Sequence, residues 1–200
     1  MNTFLPPAGG YRKLKAFHLS EIILDLTMIF AEKFVRQGSR TRDQIEQAAR
    51  SGKQNIAEGS EASRTSKETK IKLTNVAKAS LEELLLDYED YLRQHELSQW
   101  NKSHPRTIKL REYLKSPEFE NAPTRFASRL NAEECCNLCI TLINQTTYLL
   151  RKLIERQQRQ FLEQGGIKEQ MYRARINYRN NGCQTCQTSP KGQNDNSSRN

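Results

Sequence analysis

The sequence predicts an all-α protein: an antiparallel four-helix bundle with a long connection between helices three and four and a short helical C-terminal appendage. Three observations predict it. Apolar residues recur at three- to five-residue intervals over four long stretches, the spacing that gathers side chains on one face of a helix. Thr-x-x-Gln, Thr-x-x-Glu and Asn-x-x-Glu stand where three of those stretches begin, and such pairs cap exposed backbone N–H groups reciprocally. Pro105, Pro117 and Pro123 fall between stretches, as expected of a ring that breaks the helical ladder.

Phe17, Ile22, Leu26, Ile29 and Phe34 define a first helix from Tyr11 to Val35, with Gly38 as its stop. Thr41-x-x-Gln44 opens the second, whose face carries Ile45, Ala49, Gly52, Ile56 and Gly59. Gly inside a helix costs about 1 kcal/mol relative to Ala, so this small-residue face is expected to pack closely on a neighbour. Thr65-x-x-Glu68 opens the third, which runs through Leu73, Ala77, Leu81, Leu84, Tyr88 and Tyr91 to Gln94. The prolines then divide the long connection, leaving one brief helix over Arg106 to Lys115. Asn131-x-x-Glu134 opens the fourth, with Cys135, Cys139, Leu142, Thr146, Leu149 and Leu153 in strict four-three spacing. Gly165-Gly166 ends it, and Ile167 to Tyr178 resumes a short helical pattern. The bundle is thus expected over 11–162, a helical suffix segment over 163–180 and a disordered, Asn- and Gln-rich tail over 181–200.

The 200 residues carry 32 Lys and Arg against 23 Asp and Glu, a formal charge of +9 that suits polyanionic partners. Only 19–34 is apolar enough to suggest a membrane span, and Glu21, Asp25 and Glu32 interrupt it. A core helix is expected there, with no membrane partner. The first ten residues lack the charged and apolar regions of a secretory signal. Five cysteines, an odd number, argue against a disulfide framework, so a cytoplasmic location is expected. His18, His95 and His104 are isolated, and no phosphate loop or nucleophile motif is present. The chain is therefore expected not to be an enzyme and to need no cofactor.

Asn55-Ile56-Ala57-Glu58-Gly59, followed by Arg64 and then Ala79-Ser80-Leu81-Glu82-Glu83-Leu84, carries a family signature. The chain resembles the bacterial four-helix-bundle family that includes the 23S rRNA intervening-sequence-encoded protein and the accessory variability determinant of diversity-generating retroelements. Phe161 to Tyr172 with Arg175 is similar to the suffix domain that some members append. Together the matching stretches cover about residues 11 to 180. The resemblance implies a homo-oligomer, a pentameric ring in the retroelement type, whose basic surface engages nucleic acid and a reverse transcriptase. The long segment 97–130 and the C-terminal extension depart from the compact family pattern.

Asn55 and Glu58 suit either a ligand or catalytic pair or, with fewer requirements, a structural motif. In the latter they hydrogen-bond the turn into helix three, with Arg64 as counter-ion and Gly59 in a conformation closed to other residues. Charge is uneven along the chain. Residues 151–200 hold ten Lys or Arg against four acids, whereas 80–96 holds six acids against Arg93 alone. That polarity suits head-to-tail contacts, of the kind that close rings. Arg151, Lys152, Arg156 and Arg159 cluster toward the end of helix four, where cations also complement the helix dipole. Arg173, Arg175 and Arg179 interleave with Tyr172 and Tyr178, pairing phosphate-binding groups with rings that stack on bases. These nine residues form the expected nucleic-acid site. The same appendage also suits an arm that docks on a neighbouring subunit through Met171, Tyr172 and Ile176. Cys183-x-x-Cys186 has metal-knuckle spacing, but a four-thiolate zinc site would require the tail to fold back onto Cys135, Cys136 and Cys139; buried, unpaired thiols are the simpler expectation.

Overall fold

A computed structural model describes residues 10–62 and 66–185; it is all-helical, 82% helix, without strands among the described residues. A 3-10 turn at Tyr11–Lys13 precedes α1 (Lys15–Phe34), α2 (Arg40–Ala62) and α3 (Lys67–Gln94). The connection holds α4 (Pro105–Tyr113), α5 (Pro117–Asn121) and a 3-10 turn at Ala127–Arg129. The longest helix, α6 (Ala132–Gln164), and then α7 (Ile167–Thr185) complete the order. Among the described residues, no helix is long and apolar enough to cross a membrane.

The expected cap at Asn131 is complete. Its Oδ1 accepts from Glu134 N at 2.9 Å, and Glu134 Oε2 accepts from Asn131 N at 3.2 Å. The cap of α2 is corrected by two residues: α2 begins at Arg40, and Ser39 Oγ accepts from Arg42 N at 3.3 Å. At α3 the cap is Ser66, which accepts from Thr69 N at 3.0 Å; Thr65 lies outside the described residues. Adjacent hydroxyls offer the same acceptor, and backbone geometry chooses between them. Two further elements differ from expectation. Pro117, preceded by the Ser116 cap, starts the additional helix α5, and α7 continues past Tyr178 and through 181–185, part of the segment expected to be disordered. Residues 186–200, with Cys186, lie outside the described residues.

The buried apolar residues form one cluster, drawn mainly from α1, α2, α3 and α6 with Phe119 of α5. α1 packs on α2 and α6, and α3 packs on the same two. Between α2 and α3 the small-residue face works as expected at Gly52, where a Cβ would stand 2.7 Å from Leu81 Cδ2. Gly59 corrects the expectation of a special backbone conformation. It is helical, and its missing side chain admits Leu73, whose Cβ would lie 3.2 Å from an added Cβ. The pairs 52 with 81 and 59 with 73 make α2 and α3 antiparallel. α6 also runs antiparallel to α3: Gln157 Nε2 donates to Thr74 Oγ1 at 3.2 Å, and Lys67 Nζ donates to Gln164 Oε1 at 3.0 Å.

Tyr88, 1% exposed, crosses the core to donate its hydroxyl to Thr27 Oγ1 at 3.0 Å. Thr27 in turn donates to Ile23 O at 2.7 Å, so both hydroxyls are used. Phe30 packs edge-on against Tyr88 and Tyr91, with ring centroids 5.0 and 4.9 Å away. Burial, reinforced by Cys139 and Cys135, pushes the Tyr88 hydroxyl well above its ordinary pKa. Cys135, Cys136 and Cys139 are free and buried. Burial raises Cys136 and Cys139, while the hydrogen bond from Cys139 lowers Cys135.

Two outcomes follow from this packing. Gly52→Val should destabilise the protein by about 2 kcal/mol in urea unfolding, because overpacking outweighs the roughly 0.3–0.5 kcal/mol of helix propensity that Val regains. Peptide mapping after alkylation at pH 8 should find Cys135, Cys136 and Cys139 unmodified in the native protein and modified once it is denatured.

Candidate nucleic-acid interface

The connection after α3 does not hang free. Glu96 takes a positive φ of 55° as the chain leaves α3, and Asn137 of α6 then grips the next residues. Its Oδ1 accepts from Trp100 N at 2.8 Å, and its Nδ2 donates to Ser98 O at 2.9 Å and to Glu133 O at 2.8 Å. Glu133 adds a bond from Trp100 Nε1 at 2.7 Å. Trp100 stacks on His104 with the planes 9° apart, and the Arg106 guanidinium stands 5.5 Å from its ring centre. His104 Nδ1 caps α4, whose first residue is Pro105.

Held in this way, α4 and α5 lie beside α6 and make a groove of about 1250 Å³. Its cations come from five places in the chain: Lys15 on α1, Lys78 on α3, Lys102 in the connection, Arg111 and Lys115 around α4, and Arg151 on α6. Glu82 and Glu120 are its acids. Lys78 pairs with Glu82 at 2.7 Å. Among the described residues, the other five cations make no ion pair within 4.0 Å. Tyr148, half exposed, lines the groove with the Arg151 guanidinium 5.3 Å from its ring centre. The arrangement offers positive charge without ion-pair partners among the described residues, beside aromatic and amide surface.

Of the nine residues expected to form the site, only Arg151 lines this groove. Lys152 is paired with Glu155 at 2.8 Å, a contact that holds the Glu155 carboxyl below its usual range. Arg156 and Arg159 are exposed on the last turns of α6. Arg156 faces Lys70, whose pKa is lowered first by burial and then by repulsion from Arg156 and Lys67, so a second cationic surface marks that end. Tyr172, Arg173, Arg175, Tyr178 and Arg179 stand apart on α7, all exposed. Gly165, at φ 68°, turns the chain, and Glu169 Oε2 fixes the turn by accepting from Gly166 N at 3.1 Å.

The motif at the end of α2 is placed differently from expectation. Asn55 reaches back along its own helix, donating to Ser51 O at 2.9 Å and Ser51 Oγ at 3.1 Å, while Ser51 Oγ meets Ser80 Oγ of α3 at 2.9 Å. Glu58 is exposed. Arg64 lies outside the described residues, so its expected role as counter-ion is not described.

Apart from Arg151, the groove's cations are not legible in the sequence because they are dispersed along the chain. One signal was nonetheless present: residues 97–130 hold seven Lys or Arg against three acids, an excess on what reads as a mere connection. Comparison with known proteins finds no matching family model, no matching curated protein and no matching solved structure.

Asn137→Ala should free the connection. Trp100 is the sole tryptophan, so its emission should shift to the red, with a stability loss of about 2 kcal/mol from the orphaned amide partners.

Proposed function

We propose that the chain is a non-enzymatic, homo-oligomeric accessory protein, built as an antiparallel four-helix bundle, that binds nucleic acid electrostatically. The observation that carries this reading is the groove along α6, with five cations that have no ion-pair partner among the described residues. Its volume, about 1250 Å³, exceeds the roughly 300–1,000 Å³ of small-molecule pockets. From Ile140 to Arg151 the groove follows α6 for about 16 Å, or roughly five phosphate intervals along one strand. A polymer uses such a trough better than a metabolite does. The resemblance to retroelement accessory proteins suggests a nucleic-acid enzyme, such as a reverse transcriptase, as the protein partner, and a reducing cytoplasm accords with the free thiols.

A second reading, a protein-interaction scaffold, is favoured by α7, where Met171, Tyr172 and Tyr178 are 56%, 67% and 82% exposed. The two uses occupy different surfaces.

Five phosphate contacts release enough counterions that affinity for a labelled single strand should fall about 100-fold between roughly 50 and 200 mM salt. Reversing Lys102, Arg111 and Arg151 together to Glu should weaken low-salt binding at least about tenfold and flatten the salt slope. Fluorescence anisotropy checks both, and unchanged binding by the triple variant would remove the groove from the proposal.

A further inference from the structure

Gly165, with φ 68°, separates α7 from α6. Among the described residues, α7 starts beside Glu68 of α3, which Gly166 approaches, and none of the side chains described for it is fully buried. Its exposed face is ordered: Met171, Arg175 and Tyr178 follow at four- and three-residue steps, flanked by Tyr172 and Arg179, so these five share one side. Among the described residues, Arg175 and Arg179 make no ion pair.

The outward face of α3 has the opposite character. Leu86 is 61% exposed, with Glu83 and Asp87 beside it and Glu82 and Asp90 at its edges. Glu82 and Asp90 are used by Lys78 and Arg93. Glu83 and Asp87 have no cation within 4.0 Å among the described residues. The charge there is uncompensated: burial, then Glu83 and Asp90, raise the Asp87 pKa.

We infer that α7 of one copy docks on the outward face of α3 of a second copy, pairing Arg175 and Arg179 with Glu83 and Asp87 around Leu86, Met171 and Tyr178. The inference rests on the reading that this chain self-assembles. Each charge pair is separated by four residues, about 6 Å on a helix, so the two spacings match. Arm and acceptor are different surfaces, which makes the contact head-to-tail and directs it to a ring or a filament, not a two-fold dimer. Within one chain these groups are not joined: among the described residues, neither Arg175 nor Arg179 makes an ion pair with Glu83 or Asp87.

Charge reversal of the full chain tests this by light scattering over about 1 to 200 μM, with circular dichroism confirming that each variant keeps its helix content. Wild type should exceed the 23.2 kDa of one chain. Arg175→Glu with Arg179→Glu should be monomeric, and so should Glu83→Arg with Asp87→Arg. An equimolar mixture of the two variants, and the variant carrying all four changes, should recover the larger mass. A wild type that stays at 23.2 kDa would overturn both self-assembly and this interface. Wild-type assembly that survives either reversal would overturn the interface alone. Loss of single-strand binding in the arm variant, with mass unchanged, would assign α7 to nucleic acid instead.

Discussion

The side chain of Asn137 is the constraint on which the candidate site depends. It is 3% exposed, and an amide so deeply buried is tolerable only when its donors and acceptor are used. Here they bind Trp100 N, Ser98 O and Glu133 O. That satisfaction ties the start of a long, proline-cut connection to the second turn of α6. Without it Trp100 would lose its seat, and the connection would be held to the bundle by Phe119 and the apolar residues of α4 alone. One polar residue among apolar ones thus fixes where the groove begins.

The groove also shows what a local charge count omits. Lys152 and Arg151 are neighbours in sequence, yet one is neutralised by Glu155 and the other lies against Tyr148 facing the groove. Exposed pairs of the first kind contribute only about 0–1 kcal/mol to stability, but they decide which charges remain available to a polyanion. Bringing five unpaired cations together costs some mutual repulsion, which solvent screens at an open surface. Burial adds its own cost: the half-buried Lys70 has a lowered pKa, first from loss of solvent and then from repulsion by Arg156 and Lys67.

Helices were legible because their signals are local. The stripe from Leu73 to Tyr91 predicts α3 to its last residue at Gln94, and Asn131 with Glu134 announces α6 within a single turn. Gly165 reads as a stop and is one, with positive φ. Gly59 was legible as a glycine that matters but not in its reason, because a close approach by Leu73 belongs to a neighbouring helix. The groove was illegible for the same cause on a larger scale. Lys15 and Arg151 are 136 positions apart, and no periodicity within one helix encodes which residues of another will stand beside it.

The separation of α6 from α3 has a kinetic consequence. α2 and α3 are adjacent in the chain and close a local hairpin, whereas α6 must complete the faces of both α1 and α3. Local contacts form quickly and distant ones pay loop closure first. On a ribosome adding roughly 5–20 residues per second, the seventy residues between Gln94 and Gln164 take on the order of 4 to 14 s to emerge. Until the first half of α6 has emerged, Leu81, Leu84 and Tyr88 have no α6 to cover them. The nascent chain therefore passes through a three-helix stage with an open apolar seam, and its yield in a cell depends on how well that stage resists pairing with its neighbours.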